Sequence, residues 1–486
     1  MDPQKVKRRT RFVLKLWAAA AVVYFSYVYL LLLTLLIIIF QSNSQQIPQT
    51  FNYKGKIDDC CCEAELVQNT NQKIYQKLDE LSHTKFFRTF KVNIDTECKF
   101  FSVEGICKSQ GCSVCRCDEN NIPLPWKKTD FIQQSKYDYA DWAQEPEVKI
   151  TDEWQWRVEE FNESEGSYVD LKDNVEAFTG YQGQNIWKLI YEENCFQGED
   201  LCLEQRALNR ILSGLHASVS TQLSELYIDF NKNRTKMYPN WKLYFEKVGN
   251  YPERIHNLYF YYSVLLRAIN RAESVIRNYN FTTGDFQEDA KTYQLVGDIL
   301  DYTTSQCDQP FHEEILFNTD QGRKYKKHYQ QYIHNITKIM DCVECEKCKV
   351  FGKMQVYGIG VALKILFSDD SSTQIQKLQR NELITLINAF VKCASSLDVV
   401  DKMFYRRFKS YFNIGLALFS SSLFFMGFLY FAMEIQEKYL GQKIKKMFQH
   451  FPTNIPDPNK KKQAAIAQQQ ELARKQIFGE GKAKDD

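Results

Sequence analysis

Two kinds of apolar pattern run along this chain. Near its ends stand two unbroken runs, Leu16 to Phe40 with 25 residues and no charge, and Ile414 to Met433 with 20. A helix needs about 20 apolar residues to cross roughly 30 Å of hydrocarbon, so each run predicts a membrane span. For the first, a cleaved signal peptide with a small-x-small site at Ser42-Asn43-Ser44 is the alternative. Signal h-regions reach only about 7–15 residues, which favours an uncleaved anchor.

Between the runs the apolar positions turn periodic. Leu208, Ile211, Leu212, Leu215, Val219, Leu223 and Leu226 recur at mostly three- and four-residue spacing, the stripe of an amphipathic helix. Leu258, Tyr262, Leu265, Leu266 and Ile269 form a second stripe, opened by Pro252 and Glu253 in helix-start positions. Leu295, Ile299 and Leu300 predict a third helix, and Ile333, Ile336 and Ile339 a fourth. Leu383, Leu386, Ile387, Phe390 and Val391 predict a fifth. Short extended pieces are expected near Phe87–Val92 and Val148–Ile150. No internal repeat and no long Gly/Pro-rich break divides this stretch. The expectation is a mainly α protein with one helical domain at 55–405. Around it lie a basic N-terminus at 1–15, a span at 16–40, a linker at 41–54, a second span at 412–435 and a basic tail at 436–486.

Charge orients the spans. Six basic residues and one acidic residue fill positions 1–15, and eleven basic against six acidic fill 436–486, while the whole chain carries only +2. Basic residues favour the cytosolic side, so both termini are expected there, although Arg406, Arg407 and Lys409 flank the second run on its other side. Sequons at Asn162, Asn233, Asn280 and Asn335 all lie between the runs, as a lumenal domain requires. The chain ends with Lys482-Ala-Lys484-Asp-Asp, a K-x-K-x-x pattern that resembles retrieval signals of endoplasmic-reticulum membrane proteins. A net charge near zero argues against a nucleic-acid partner.

Cysteine changes the picture most. Fifteen are present, and every one lies between the two runs. A chain of this size needs no staples to hold a core, so the sulfur calls for another explanation. Cys342-Val-Glu-Cys345-Glu-Lys-Cys348 is a C-x-x-C-x-x-C. A C-x-x-C at a helix start suits reversible dithiol chemistry, because the helix N-terminus stabilises a thiolate. The same spacing begins iron–sulfur sites, and Cys112, Cys115 and Cys117 have zinc-ligand spacing. A non-enzymatic, metal-binding membrane scaffold is therefore the rival reading. No fourth cysteine and proline follow Cys348, and an oxidising lumen favours disulfides, so no metal is expected. Cys107-Lys-Ser-Gln-Gly-Cys112 is a C-x4-C in a loop-like setting of Gly105, Gly111 and Asp118-Glu-Asn-Asn. A disulfide there is open either to attack by another protein's thiolate or to a purely structural role.

Specific segments carry a family likeness. They are Gly55-Lys-Ile-Asp-Asp-Cys60, Phe87-Arg-Thr-Phe-Lys-Val-Asn93, Tyr168-Val-Asp-Leu171 and Phe178-Thr-Gly-Tyr-Gln-Gly183. Further along come Ile190-Tyr-Glu-Glu-Asn-Cys195, Ser213-Gly-Leu-His-Ala-Ser218, Asn257-Leu-Tyr-Phe260, Ile339 to Cys348 and Gly358 to Phe367. Together they resemble the endoplasmic reticulum oxidoreductin family of thiol oxidases. The resemblance implies an FAD-dependent enzyme that makes disulfides for protein disulfide isomerase and passes the electrons to dioxygen, giving hydrogen peroxide. It implies a shuttle pair at Cys107 and Cys112 and an active-site pair at Cys345 and Cys348, with Cys348 beside the flavin. It further implies structural bonds Cys98–Cys342 and Cys195–Cys202. FAD contacts carry over onto Thr179, Trp187, Ser213, His216, Arg254 and Arg267. Ser213 and His216 are three apart and share a helix face. Without the likeness each would read as a core ring or a solvated cation.

Three departures stand out. Ala177 occupies the position two before Thr179 where the family commonly has Arg. No cysteine precedes Cys60 to pair with the Asp-Asp-Cys segment. None lies between Cys117 and Cys195 to regulate the shuttle, which leaves Cys115 and Cys117 as the expected regulatory thiols. Cys60, Cys61, Cys62, Cys307 and Cys393 have no assigned role.

Overall fold

The structure, a computed structural model, describes residues 64–101, 111–127, 166–181, 185–194, 202–229, 236–306, 310–368, 375–449 apart from Lys377, 458–478, and scattered positions between 13 and 35. Most of the first expected span, the linker, Cys107, Cys195, Asn162, Asn233 and the Lys482/Lys484 signal lie outside them. So do Cys60, Cys61, Cys62, Cys307 and the expected extended piece at Val148–Ile150. The chain divides into two compact units, Ile37–Ser410 and Met1–Leu36 with Tyr411–Asp486.

The larger unit is built of helices. α1 (Ala64–Ser82) leads through a short helix Lys85–Arg88 into β1 (Thr89–Val92). β1 pairs antiparallel with β2 (Ser167–Asp170), Thr89 opposite Asp170 and Val92 opposite Ser167. Then come α2 (Asn185–Asn194), α3 (Leu203–Glu225), α4 (Pro252–Arg271), α5 (Phe286–Gln306), α6 (Asp320–Met340) and α7 (Glu346–Phe367). α8 (Arg380–Gln449) supplies its residues to Ser410 to this unit and the rest to the other, which also holds α9 (Pro458–Phe478). The extended piece expected at Phe87–Val92 is a strand only from Thr89. Its partner β2 carried no alternation strong enough to predict.

The five predicted stripes are helical and buried. α3 turns Leu208, Ile211, Leu212, Leu215, Val219 and Leu223 inward; Leu226, at the helix C-cap, lies 36% exposed, so that stripe ends one position early. Leu258, Tyr262, Leu265, Leu266 and Ile269 of α4 are all buried, and α4 packs most extensively on α3. Pro252 sits in the first turn of α4, where a missing N–H costs nothing. α6 begins at Thr319, whose hydroxyl accepts from Gly322 N–H at 2.9 Å.

α7 had no stripe to predict because it is apolar on every side. Glu346–Phe367, Arg380–Met403 and Lys409–Lys443 are all long and apolar enough to cross a membrane, yet 94%, 83% and 0% of their apolar windows are buried within the fold. The first two are core helices. The third shows its apolar residues, Phe424 and Tyr430 among them, on the outside.

Two ties hold the end of β1 against the α6–α7 turn. Cys98 is disulfide-bonded to Cys342. Buried Lys353 reaches Asp341 at 2.7 Å, the carbonyl of Asn93 at 2.9 Å and the hydroxyl of Thr96 at 3.0 Å. The cation is paired and fully hydrogen-bonded, the condition under which burying a charge is tolerable.

α7 and α8 touch backbone to backbone at Gly358, where a Cβ would sit 2.4 Å from the Thr385 carbonyl oxygen and 2.6 Å from the Ala389 Cβ. Gly358→Ala therefore forces the helices apart. The expected loss is about 1–3 kcal/mol, seen as a lower melting temperature of the purified chain, and an unchanged melt would refute the close approach.

Candidate active site

The site forms where α7 begins. Cys345 is the residue before its first turn and Cys348 lies one turn in, both buried with free thiols. The first amides of a helix have no partner inside it. Here Lys347 N–H donates to the carbonyl of Cys112 at 3.1 Å, and the Glu346 carboxylate accepts from Val114 N–H at 2.8 Å. Downstream, Cys115 N–H donates to Asn174 Oδ1 at 2.7 Å, Asn174 Nδ2 returns to the Cys115 carbonyl at 2.8 Å, and Cys117 N–H donates to the Tyr168 carbonyl at 2.8 Å. The segment from Cys112 to Cys117, expected to belong to a loose loop, is thus tied to both α7 and β2.

Cys112 is disulfide-bonded, its partner outside the described residues. Its sulfur can only accept, so the Thr179 hydroxyl donates to it at 3.4 Å. The same hydroxyl lies 3.8 Å from the Cys348 sulfur. Thr179 opens a 3₁₀ turn, Thr179–Tyr181, immediately after Phe178, a buried residue at φ 55°. A bulky residue in that left-handed region is strained and persists only where its surroundings dictate it. The turn then brings Gly180 so close that a Cβ would lie 2.5 Å from the Val343 side chain and 3.1 Å from Cys348 Cβ. Tyr181 completes the clamp, its hydroxyl donating 2.6 Å to the Cys348 carbonyl.

The two thiols of the C-x-x-C differ. Hydrogen bonding from Cys348 holds the Cys345 thiol down to about 6, with Thr179 and backbone donors assisting. Burial pushes Cys348 well above its ordinary range. Negative charge on the pair therefore rests on Cys345, whose sulfur lies 3.9 Å from the Cys112 carbonyl. Cys115 is an exposed free thiol, and half-buried Cys117 is pushed up to about 11 by burial, which keeps it a protonated, slow nucleophile.

Trp187 on α2 and His216 on α3 stack face to face at 4.0 Å and 15°. Tyr191 holds His216 Nδ1 through its hydroxyl at 2.9 Å. Ser213 Oγ accepts from Asn257 Nδ2 at 3.0 Å. Arg206 Nε and Asn209 Oδ1 are buried without a hydrogen-bond partner. Positions 206, 209, 213 and 216 share one face of α3. Orphaned polar atoms beside an aromatic stack fit a ligand that carries both rings and polar or anionic groups. Arg254, whose charge is felt at His216, donates to the Lys247 carbonyl and lies over the Tyr251 ring at 4.5 Å. Arg267 stands thirteen residues on, about 20 Å along α4. Its fork grips Glu313 at 2.8 and 2.7 Å.

Two other sequence expectations meet a different geometry. Cys202 is a free thiol in this structure, where a bond to Cys195 was expected. It precedes α3, and its N–H donates to Gln205 Oε1 at 3.1 Å, so its backbone serves the helix start. Of the two described sequons, Asn280 is exposed, whereas Asn335 is half-buried within α6. Cys393, unassigned from sequence, is a buried thiol facing the Leu258 carbonyl at 3.9 Å.

The family model for Endoplasmic Reticulum Oxidoreductin 1 (ERO1) matches residues 73–400. The chain belongs to the endoplasmic reticulum oxidoreductin family. It is similar to endoplasmic reticulum oxidoreductin-1 of Arabidopsis thaliana, 35% identical over 388 residues, which cover 74% of this chain and 82% of that one. It is also similar to the Ero1-like protein of Drosophila melanogaster, 31% identical over 468 residues, covering 79% and 96%. Among solved structures it resembles Ero1p, titled a source of disulfide bonds for oxidative protein folding in the cell, with a TM-score of 0.52 and 26% identity over 71% of this chain and 97% of that one. Family membership makes the chain a thiol oxidoreductase, and α6, α7 and the Phe178–Tyr181 turn frame its C-x-x-C.

His216 gives a test of the aromatic stack. Burial, with Arg254 and Lys247 nearby, depresses its imidazole from 6.5 to about 3. The unfolded ring takes a proton below 6.5 and the folded ring refuses it until near 3, so stability present above pH 6.5 is lost as pH falls. Between pH 6.5 and 5 the loss should reach roughly 2 kcal/mol. In His216→Phe, which keeps the stack, melting temperature should vary less over that interval; equal slopes would show that His216 is not buried neutral.

Proposed function

We propose that this protein is an FAD-dependent thiol oxidase of the endoplasmic-reticulum membrane that reoxidises protein disulfide isomerase. One observation carries the reading: the Cys112 disulfide, Thr179 and the buried Cys345–Cys348 dithiol share one cluster at the start of α7. That is an arrangement for handing a disulfide from an inner pair to an outer one. A thiolate of the reduced isomerase attacks the Cys107–Cys112 bond, and thiol–disulfide exchange passes the electron pair inward to Cys345 and Cys348. The helix start and the hydrogen bond from Cys348 stabilise the thiolate that Cys345 becomes when a shuttle thiolate opens the inner disulfide. Thr179 and Tyr181 keep the pair oriented and, with Phe178, dry.

The residues of the α3 face suit FAD. Trp187 and His216 would hold its rings, while Ser213, Arg206 and Asn209 offer hydrogen bonds and Arg254 its cation. Bound FAD supplies the two-electron acceptor that thiols lack for dioxygen, with hydrogen peroxide as product. Arg267 would offer the N–H groups that its bond to Glu313 leaves over, and with Ala177 in place of the usual Arg the phosphates have fewer cations to meet.

The unburied apolar segment Lys409–Lys443 supports a membrane span at 412–435, and the charge pattern supports cytosolic termini with Ile37–Ser410 in the lumen. The rival, a metal-binding scaffold, is disfavoured because Cys112 is in a disulfide and so offers no thiolate.

Full-length protein purified in detergent should be yellow and consume oxygen when given a reduced thioredoxin-like isomerase. Cys348→Ala should remain yellow while its oxygen consumption drops to the background without enzyme. Colourless protein with stoichiometric zinc would overturn the assignment.

A further inference from the structure

Tyr191 holds one nitrogen of His216, yet it has no part in the function proposed above. It stands four residues after Trp187 on α2, so the two side chains share a helix face, and both meet His216 of α3. Trp187 lies flat on the imidazole at 4.0 Å and 15°, which fixes the plane of that ring. A stacked imidazole can still turn over within its plane and exchange its Nδ1 edge for its carbon edge. The Tyr191 hydroxyl, 2.9 Å from Nδ1, removes that freedom, while the Tyr191 ring stands 5.6 Å off and tilted by 49°.

The second nitrogen is left open. Among the described residues none hydrogen-bonds His216 Nε2, and that atom is not sealed from solvent. Arg206 Nε and Asn209 Oδ1, on the same face of α3, are buried without hydrogen-bond partners. Three polar atoms of one helix face thus go unmatched by the protein, beside an aromatic stack.

The hydrogen bond at Nδ1 also settles what Nε2 is. A neutral imidazole carries one proton, so one nitrogen donates and the other accepts. His216 is neutral at ordinary pH, because burial, with Arg254 and Lys247 nearby, holds its imidazole down to about 3. Of the two groups in contact, the phenol is the more acidic donor and a bare imidazole nitrogen the better acceptor. The Tyr191 hydroxyl therefore donates to Nδ1, and the imidazole proton sits on Nε2.

We propose that Tyr191 is a positioning residue of the cofactor site, holding His216 in the Nε2–H form so that this N–H is the donor offered to an acceptor on the flavin nucleotide. Tyr191 acts through His216 and needs no contact with the ligand. Without the hydroxyl the imidazole can turn over and exchange tautomers, so only a fraction of molecules offers the donor and binding weakens by that fraction.

The inference rests on the α3 face being the flavin site, and one arm of its test needs no flavin. Full-length protein in detergent, labelled with ¹⁵N-histidine and stripped of flavin, is studied by NMR between pH 6 and 8. Among the chain's seven histidines, the signals missing from His216→Phe belong to His216. They should show a proton-free Nδ1 and a protonated Nε2 in wild type, and averaged tautomers in Tyr191→Phe. A wild-type proton on Nδ1 overturns the proposal without recourse to any variant. In the second arm, flavin-loaded protein is diluted and release of FAD is followed by flavin fluorescence. Tyr191→Phe should release FAD roughly tenfold faster, about the worth of one hydrogen bond. In a His216→Phe background, which keeps the stack, Tyr191→Phe should add nothing. Equal acceleration in both backgrounds would show a merely structural tyrosine and overturn the proposal. Wild type that takes up no FAD overturns the flavin reading itself, and the proposal with it, even where the tautomer is as expected.

Discussion

The hydrogen bond from Lys347 N–H to the Cys112 carbonyl, 3.1 Å long, organises the chemistry of this protein. A helix that starts inside a fold must find partners for its first amides. α7 takes one of them from a disulfide-bonded segment more than 230 positions away in sequence, and that choice sets two sulfur pairs side by side. The Glu346 carboxylate at Val114 N–H fixes the register of the same segment. Everything that bears on thiol reactivity follows from this junction. Thr179 reaches both Cys112 and Cys348 because the strained turn at Phe178 and the bare Gly180 allow the chain to approach.

The junction holds because the surrounding core is dense. α7 and the first part of α8 are apolar enough to sit in lipid, yet they are enclosed by protein, with Gly358 set directly against α8. Composition does not distinguish a lipid-facing helix from one wrapped by others, since both avoid water for the same reason. Two buried lysines, Lys353 and Lys364, and the partly buried Lys392 punctuate this core. The first two are closed pairs, with Asp341 and Glu382 at 2.7 Å each. Lys392 differs, because it is partly exposed and stands 3.4 Å from the carboxylate of a fully enclosed Glu176.

Much of the frame was legible along the chain. Stripes at 208–223, 258–269 and 383–391 found their helices because a single buried face leaves a 3.6-residue period. α7 left none, since burial on all sides erases the period. β2 was too short to show alternation and exists by pairing with β1. Of the site, the C-x-x-C and Thr179 were legible through motif. The motif that named Arg267 gave no sign of Glu313, 46 residues on, which pairs with its guanidinium. Cys202 is a second case, as its free thiol depends on where its neighbours lie. Glu176 gave no signal at all. A single Glu near a Thr-Gly-Tyr reads as solvated surface, and only its burial against a lysine 216 positions away reveals otherwise.

The sequence by itself determined the local preferences: which segments are helical, that two segments are long and apolar enough to span a membrane, that cysteines stand in C-x-x-C and C-x4-C spacing, and the family those motifs belong to. These are properties of neighbours, written in periods of a few residues. Tertiary structure decided which thiol carries the negative charge, which arginine is already engaged, which apolar helix is core, and that a carboxylate is buried opposite a lysine 216 positions away. Each of those depends on removal from water and on which groups the fold brings together. Electrostatic energy depends on distance and burial, and neither can be read from order along the chain.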